Sequence, residues 1–218
     1  MADNRKIIYL AGFLFSIPIA LTSYINSSLL GNYVNKNYVG LIYAVASIIA
    51  IWSLIKMPKI LNRYGNRRTA LIFCLLITLA FIFLAFGGKS FIVIPAFILY
   101  FVSGIVFFAS LDIFVEDFSR KSAIGTFRGL YLMILNFAWI IAQIISGSIV
   151  NKSAFFGIYL LSAGFAILVS LIFVIFLRNF KDPKYDRGPI RQVIKSFIRD
   201  KNLLRIYLIN FILKFFSC

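Results

Sequence analysis

Lys56-Met57-Pro58-Lys59-Ile60-Leu61-Asn62-Arg63-Tyr64-Gly65-Asn66-Arg67-Arg68 is a basic stretch with a nearly uninterrupted apolar run on either side, residues 38–55 before it and 69–87 after it. Each run is long enough to cross the roughly 30 Å hydrocarbon layer of a bilayer as a helix. Four more runs of the same kind lie outward from this pair, at residues 7–30, 90–111, 129–150 and 155–177. A bilayer offers the backbone no water, so such segments satisfy their own hydrogen bonds as helices. The chain therefore reads as all-α, a polytopic bundle of six spans joined by short connections.

The placement of charge orients the bundle. Arg5 and Lys6, the five bases between Lys56 and Arg68, then Arg120, Lys121 and Arg128, and nine more from Arg178 to Arg205 make 19 on one side. The intervening connections hold 3, namely Lys36, Lys89 and Lys152, and Lys214 lies inside a final apolar segment. By the positive-inside rule the N-terminus and the long basic stretch face the cytoplasm, and the chain is expected in the cytoplasmic membrane. The first run follows Arg5 and Lys6 as a signal peptide would. Its 24 residues and the lack of a small-residue cleavage site favour a retained span.

Composition excludes several functions. The chain of 218 residues is 61% hydrophobic and 14% charged, far from the soluble norm of about 25% charged. Its net charge of +16 comes from bases beside spans, where they serve topology and contact anionic lipid head groups, so no nucleic-acid partner is expected. There is no histidine, and the two cysteines, Cys74 and Cys218, cannot build a metal cluster or a disulfide framework. No catalytic residue, metal or cofactor is expected.

Residues 1–178 read as the six-span bundle and 179–202 as a basic loop, irregular at Pro183, Gly188 and Pro189. Within that loop Ile190, Val193, Ile194, Phe197 and Ile198 recur at helical spacing opposite Arg191, Lys195 and Arg199, as in an interfacial amphipathic helix or a solvated linker helix. Residues 203–218 begin a seventh apolar run. Its 16 residues would span about 24 Å, short of a crossing, so further spans are expected beyond Cys218.

Six spans, a basic loop and a seventh start resemble the N-terminal half of a major facilitator superfamily transporter. The family's loop between spans two and three reads roughly Gly-x-x-x-Asp-Arg-x-Gly-Arg-Arg. Here Arg63, Gly65 and Arg67 fall on motif positions, while Pro58, Asn62 and Asn66 replace the glycine, the aspartate and the first arginine of the pair. Gly125-Thr126-Phe127-Arg128-Gly129 resembles the family's entry into span five. Span four carries no arginine and span five lacks the Gly-Pro-rich antiporter signature. The resemblance implies two six-helix halves, each of two inverted three-helix repeats, carrying a small solute by alternating access. The second half would then lie in the missing C-terminal part of the same chain. It also implies a cytoplasmic gate at Asn62, Arg63, Gly65 and Arg67, with Arg63 or Arg67 pairing Asp112 or Asp117 at the end of span four.

For the solute pathway, polar residues inside spans are the candidates, because lipid-facing polar groups are costly. Asn136 and Gln143 share a helical face with Gly147, with Trp139 at its margin, and Tyr24 and Asn26 flank a small-residue face of span one. The pathway is expected at Tyr24, Asn26, Asn136, Trp139 and Gln143. Gly12, Ser16, Ser103, Gly104 and Ser110 read as close helix packing, and Pro18 as a kink in span one. The neutral lining points to an uncharged or weakly polar solute. A half-size homodimeric membrane protein or scaffold is the alternative, and a six-span membrane enzyme a more distant one.

Overall fold

The computed structural model describes residues 2–119, 124–178, 180, 182, 183, 185, 199, 200, 205 and 209, except for the side chains of 2–4 and 146–154. Its helices are α1 (Ala2–Ser23), α2 (Asn26–Gly31), α3 (Lys36–Tyr64), α4 (Asn66–Phe86), α5 (Ser90–Asp117) and α6 (Ile124–Phe176). Among the described residues there is no strand. Among the described residues, six segments are long and apolar enough to cross a membrane: Arg5–Ser23, Lys36–Tyr64, Asn66–Phe86, Ser90–Asp117, Ile124–Ile145 and Phe155–Phe176. The protein is an integral membrane helix bundle.

α6 folds back on itself. A straight helix of 53 residues would extend about 80 Å. Yet Arg128 near its start pairs with Asp112 at 3.4 Å, while the Phe173 ring near its end lies 5.6 Å from that of Phe114. Both ends thus meet the last two turns of α5. The two arms, Ile124–Ile145 and Phe155–Phe176, run antiparallel as spans five and six.

Span one is shorter than its apolar run. α1 stops at Ser23, Tyr24 and Ile25 form a turn, and α2 restarts at Asn26. The hydroxyls of Thr22 and Ser23 donate to the carbonyls of Pro18 and Ala20, each at 2.8 Å. Such bonds compete with the backbone ladder and favour a helix end. α1 runs through Pro18, and the interruption falls several residues beyond it.

The basic connection between spans two and three is mostly helix. α3 continues to Tyr64, its last N–H bond closing from Gly65 to the Leu61 carbonyl at 2.8 Å, and α4 starts at Asn66. The whole turn rests on Gly65, whose φ of +78° suits glycine.

Helix partners follow an inverted repeat. α1 packs chiefly on α6, α3 on α5, and α4 on both α5 and α6. Tyr9 stacks on Tyr131 of the first arm, while Tyr43 of α3 meets Phe97 and Phe101 of α5. Exchanging α1 with α5 and α3 with the first arm maps one of these contacts onto the other, as twofold-related triplets require. Close approach uses small residues: a Cβ on Gly12 would lie 2.6 Å from the Tyr131 ring. α3 and the first arm are the least covered spans, 17% buried against 44–56% for the other four.

The described part of residues 1–184 forms one compact unit, and 185–218 a second. In the second, Arg199, Arg205 and Ile209 are helical. The expected amphipathic helix at 190–198 and the seventh run from residue 203 otherwise lie outside the described residues.

Candidate functional site

Where α1 gives way to α2, a polar chain crosses the bundle. Thr22 Oγ1 donates to the Pro18 carbonyl at 2.8 Å, so the Tyr100 hydroxyl, 2.9 Å away, supplies the proton between them. Having donated, Tyr100 accepts from Asn26 Nδ2 at 3.3 Å. Asn26 Oδ1 in turn accepts from Tyr159 at 2.7 Å. This order fixes the amide's orientation, because a flipped Asn26 would present oxygen to an oxygen with no proton between them. Asn26 is 3% exposed, Tyr100 5% and Tyr159 0%. One neutral network therefore ties α1, α2, α5 and the second arm of α6 together, with its buried polar groups paired as burial demands.

Beside this network lies a cavity of about 220 Å³. Its wall is Ile19 and Ser23 of α1, Asn26 of α2, Tyr43 of α3, and Tyr100, Phe101, Gly104, Ile105 and Phe108 of α5. Four aromatic rings and one amide in a concave apolar space are the makings of a small-molecule site. The Tyr43 ring is held edge-on by Phe97 and Phe101, with centroids 4.8 Å and 6.0 Å away.

At the opposite end, around Gly65, a second constellation forms. Asp182 Oδ1 accepts from the main-chain N–H of Asn66 at 2.6 Å and of Arg67 at 3.3 Å, capping the start of α4. A side chain on Gly65 would collide with that carboxylate. Asn66 is fully buried and its Nδ2 donates to the Ser110 carbonyl of α5 at 2.9 Å. Phe180 packs on Phe114 and Phe118, each centroid 5.2 Å away. The stretch after span six is thereby fastened to the ends of α4 and α5.

The sequence model of the Major Facilitator Superfamily matches residues 8–218, nearly the whole chain. The chain belongs to that superfamily. It is also 27% identical over 162 residues to the xanthosine permease of Escherichia coli (strain K12), a match covering 67% of this chain and 38% of the permease. The match thus covers less than half the length of this facilitator relative.

Of the pathway residues expected from sequence, Asn26 lines the cavity. Tyr24 is 66% exposed, Asn136 lies on the exposed side of the first arm, and Trp139 and Gln143 are half-buried there. None of these four belongs to the cavity wall. Gly104, expected to serve mainly packing, does. Tyr43, Tyr100 and Tyr159 were not singled out by the sequence, because aromatic residues at helical spacing are ordinarily core.

At the gate, Arg63 or Arg67 was expected to pair with Asp112 or Asp117; for Asp112 the structure shows a different partner. Asp112 pairs with Arg128 of the first arm, 3.4 Å away, both side chains about half exposed. Arg63 lies against the Tyr64 ring at 5.3 Å. Arg67 is half-buried, with its main-chain N–H bound by Asp182. Asn62 is exposed and donates to the Pro58 carbonyl at 2.9 Å, and Asp117 is exposed at the end of α5. α3 stays helical to Tyr64, so Arg63 projects from a helix rather than from a loop. Asp182 escaped sequence reasoning. Its one signal was its position, the first carboxylate after Asp117 and directly ahead of Pro183.

Proposed function

We propose that this chain supplies one half of a secondary carrier that moves a small uncharged solute across the cytoplasmic membrane by alternating access. Its six spans would rock against a second half about a site near the middle of the bilayer. The observation that carries the reading is the Asn26 cavity: a polar but uncharged recognition surface between α1, α3 and α5. No carboxylate, lysine or arginine lies in the central turns of the six spans, which fits a neutral solute. The relative named a xanthosine permease makes a nucleoside the first solute to try.

In this reading the N-terminus and the Gly65 end face the cytoplasm, as the charge asymmetry favours. Bases such as Lys56, Lys59, Arg63 and Arg68 would contact anionic head groups there. Gly65, Arg67, Asn62, Arg63, Asp112 and Asp117 would form the cytoplasmic gate, with Asp182 holding the turn in place. The poorly covered α3 and first arm, including Asn136, would face the second half. A carrier of this kind performs no catalysis on its solute.

The test is uptake into proteoliposomes holding the complete carrier that contains this chain. Radiolabelled xanthosine, a hexose and a neutral amino acid are compared. Saturable uptake of one of them upholds the reading, and passive leakage alone for all three rejects it.

A further inference from the structure

We infer that the Asn26 cavity is a subsite for a planar, neutral heterocycle, read along its lactam edge by the Asn26 amide and clasped by the surrounding aromatic rings. The inference rests on the carrier reading above and deepens it. It assigns recognition to the heterocyclic part of a solute rather than to a sugar part.

Asn26 carries two N–H donors and two oxygen lone pairs. Tyr100 takes one donor and Tyr159 fills one lone pair. One donor and one acceptor are therefore left on a side chain that lines the cavity and is 3% exposed. A free donor and a free acceptor on one amide complement a ring N–H and its neighbouring carbonyl, the pairing by which asparagine reads a base edge. The two tyrosines hold the amide rigid and unflipped, so little ordering is needed on binding.

The rest of the wall suits a flat ring. Tyr43, Tyr100, Phe101 and Phe108 supply aromatic surface, while Gly104 leaves room where a side chain would protrude. Tyr43 is pinned by Phe97 and Phe101, and its hydroxyl makes no hydrogen bond to another described residue; the Ser23 hydroxyl also lines the wall and already donates to the Ala20 carbonyl. A sugar presents hydroxyls around its whole rim. This wall offers few polar partners and would leave most of them unpaired. The volume sets the scale: about 220 Å³ is below the roughly 300–1,000 Å³ of sites for drug-sized ligands. It accommodates one ring system, with any attached group projecting outward.

The test uses the complete carrier in proteoliposomes and whichever neutral solute it takes up. Hypoxanthine, 1-methylhypoxanthine, in which the ring N–H of the lactam edge is blocked, and ribose are added as unlabelled competitors. The expected result is inhibition by hypoxanthine at about tenfold lower concentration than by the methylated ring, and none by ribose. In Asn26→Leu that tenfold preference collapses toward unity. In Tyr43→Leu both heterocycles weaken by about tenfold while their ratio persists. A purely structural role for Asn26 would reduce uptake in Asn26→Leu and leave the ratio intact, overturning the inference. Should Asn26→Leu fail to fold, the wild-type competition series decides alone. Equal inhibition by the two rings, or inhibition by ribose alone, overturns the inference while leaving the carrier reading standing. Failure of uptake for every solute would instead remove the carrier reading on which it rests.

Discussion

Asp182 caps Asn66: its Oδ1 lies 2.6 Å from the Asn66 main-chain N–H and 3.3 Å from that of Arg67, closing the first turn of α4 from a position 116 residues away in sequence. A local cap would have come from the residue before the helix. That residue is Gly65, which has no side chain to offer.

Replacing Asp182 tests this cap. Asp182→Ala is expected to cost about 1–2 kcal/mol, through the lost cap and the lost charge at the positive end of the helix. Asp182→Asn keeps an acceptor oxygen and should lose less. Thermal unfolding of the purified protein in detergent is the measurement, and an unchanged midpoint for Asp182→Ala would contradict the assigned role.

Gly65→Ala should be worse than its size suggests. It combines a φ of +78° with a collision against the Asp182 carboxylate, an expected loss of about 1–3 kcal/mol. In an Asp182→Ala background the collision is relieved and only the backbone strain remains. The two losses should then fall short of additive, which a double-mutant cycle on unfolding midpoints would reveal.

The Asp112–Arg128 pair should behave differently. With both side chains about half exposed, its coupling energy is expected below about 1 kcal/mol and diminished by salt. A double-mutant cycle at low and high ionic strength checks it. Coupling of several kcal/mol that resists salt would mean that the pair is shielded from water.

Tyr159→Phe removes the hydroxyl that fills one Asn26 lone pair. The expected cost is about 1–2 kcal/mol. Tyr100→Phe breaks the links to both Thr22 and Asn26 and should cost more. Reversal of that order in thermal unfolding would mean that the network does not run in the direction described.

Gly12→Leu probes a close contact between α1 and the first arm. Even a Cβ would lie 2.6 Å from the Tyr131 ring, so a leucine requires the helices to part, at about 1–3 kcal/mol. Gly164 of the second arm has no atom near the corresponding point, and Gly164→Leu serves as the tolerant control.

The bundle was legible because hydropathy over 18 or more residues is a long signal that no local contact overrides. What the sequence concealed depended on single side chains. Hydropathy carried the first run to residue 30, past the break at Tyr24 and Ile25, since isolated Thr22 and Ser23 barely lower an apolar average. The charge of residues 56–68 suggested a loop, yet helix geometry tolerates Lys and Arg well, and α3 continued through them to Tyr64. Asn26 stood out as a polar residue in a span. Tyr43, Tyr100 and Tyr159 did not, because a tyrosine shows its polar tip only once its neighbours are known. Asp182 and Asn66 lie too far apart in sequence for any spacing rule to join them.

The uncharged network around Asn26 also bears on membrane voltage. Each elementary charge carried across the field is worth about 2.3 kcal/mol per 100 mV. The six spans hold no carboxylate, lysine or arginine in their central turns, and Asn26, Tyr100, Thr22 and Tyr159 exchange hydrogen bonds without net charge. In the proposed carrier, rocking of this bundle would therefore move no carboxylate, lysine or arginine of its central turns through the field. If the proposed carrier is assembled, electrophysiology should find currents that answer to groups outside these central turns.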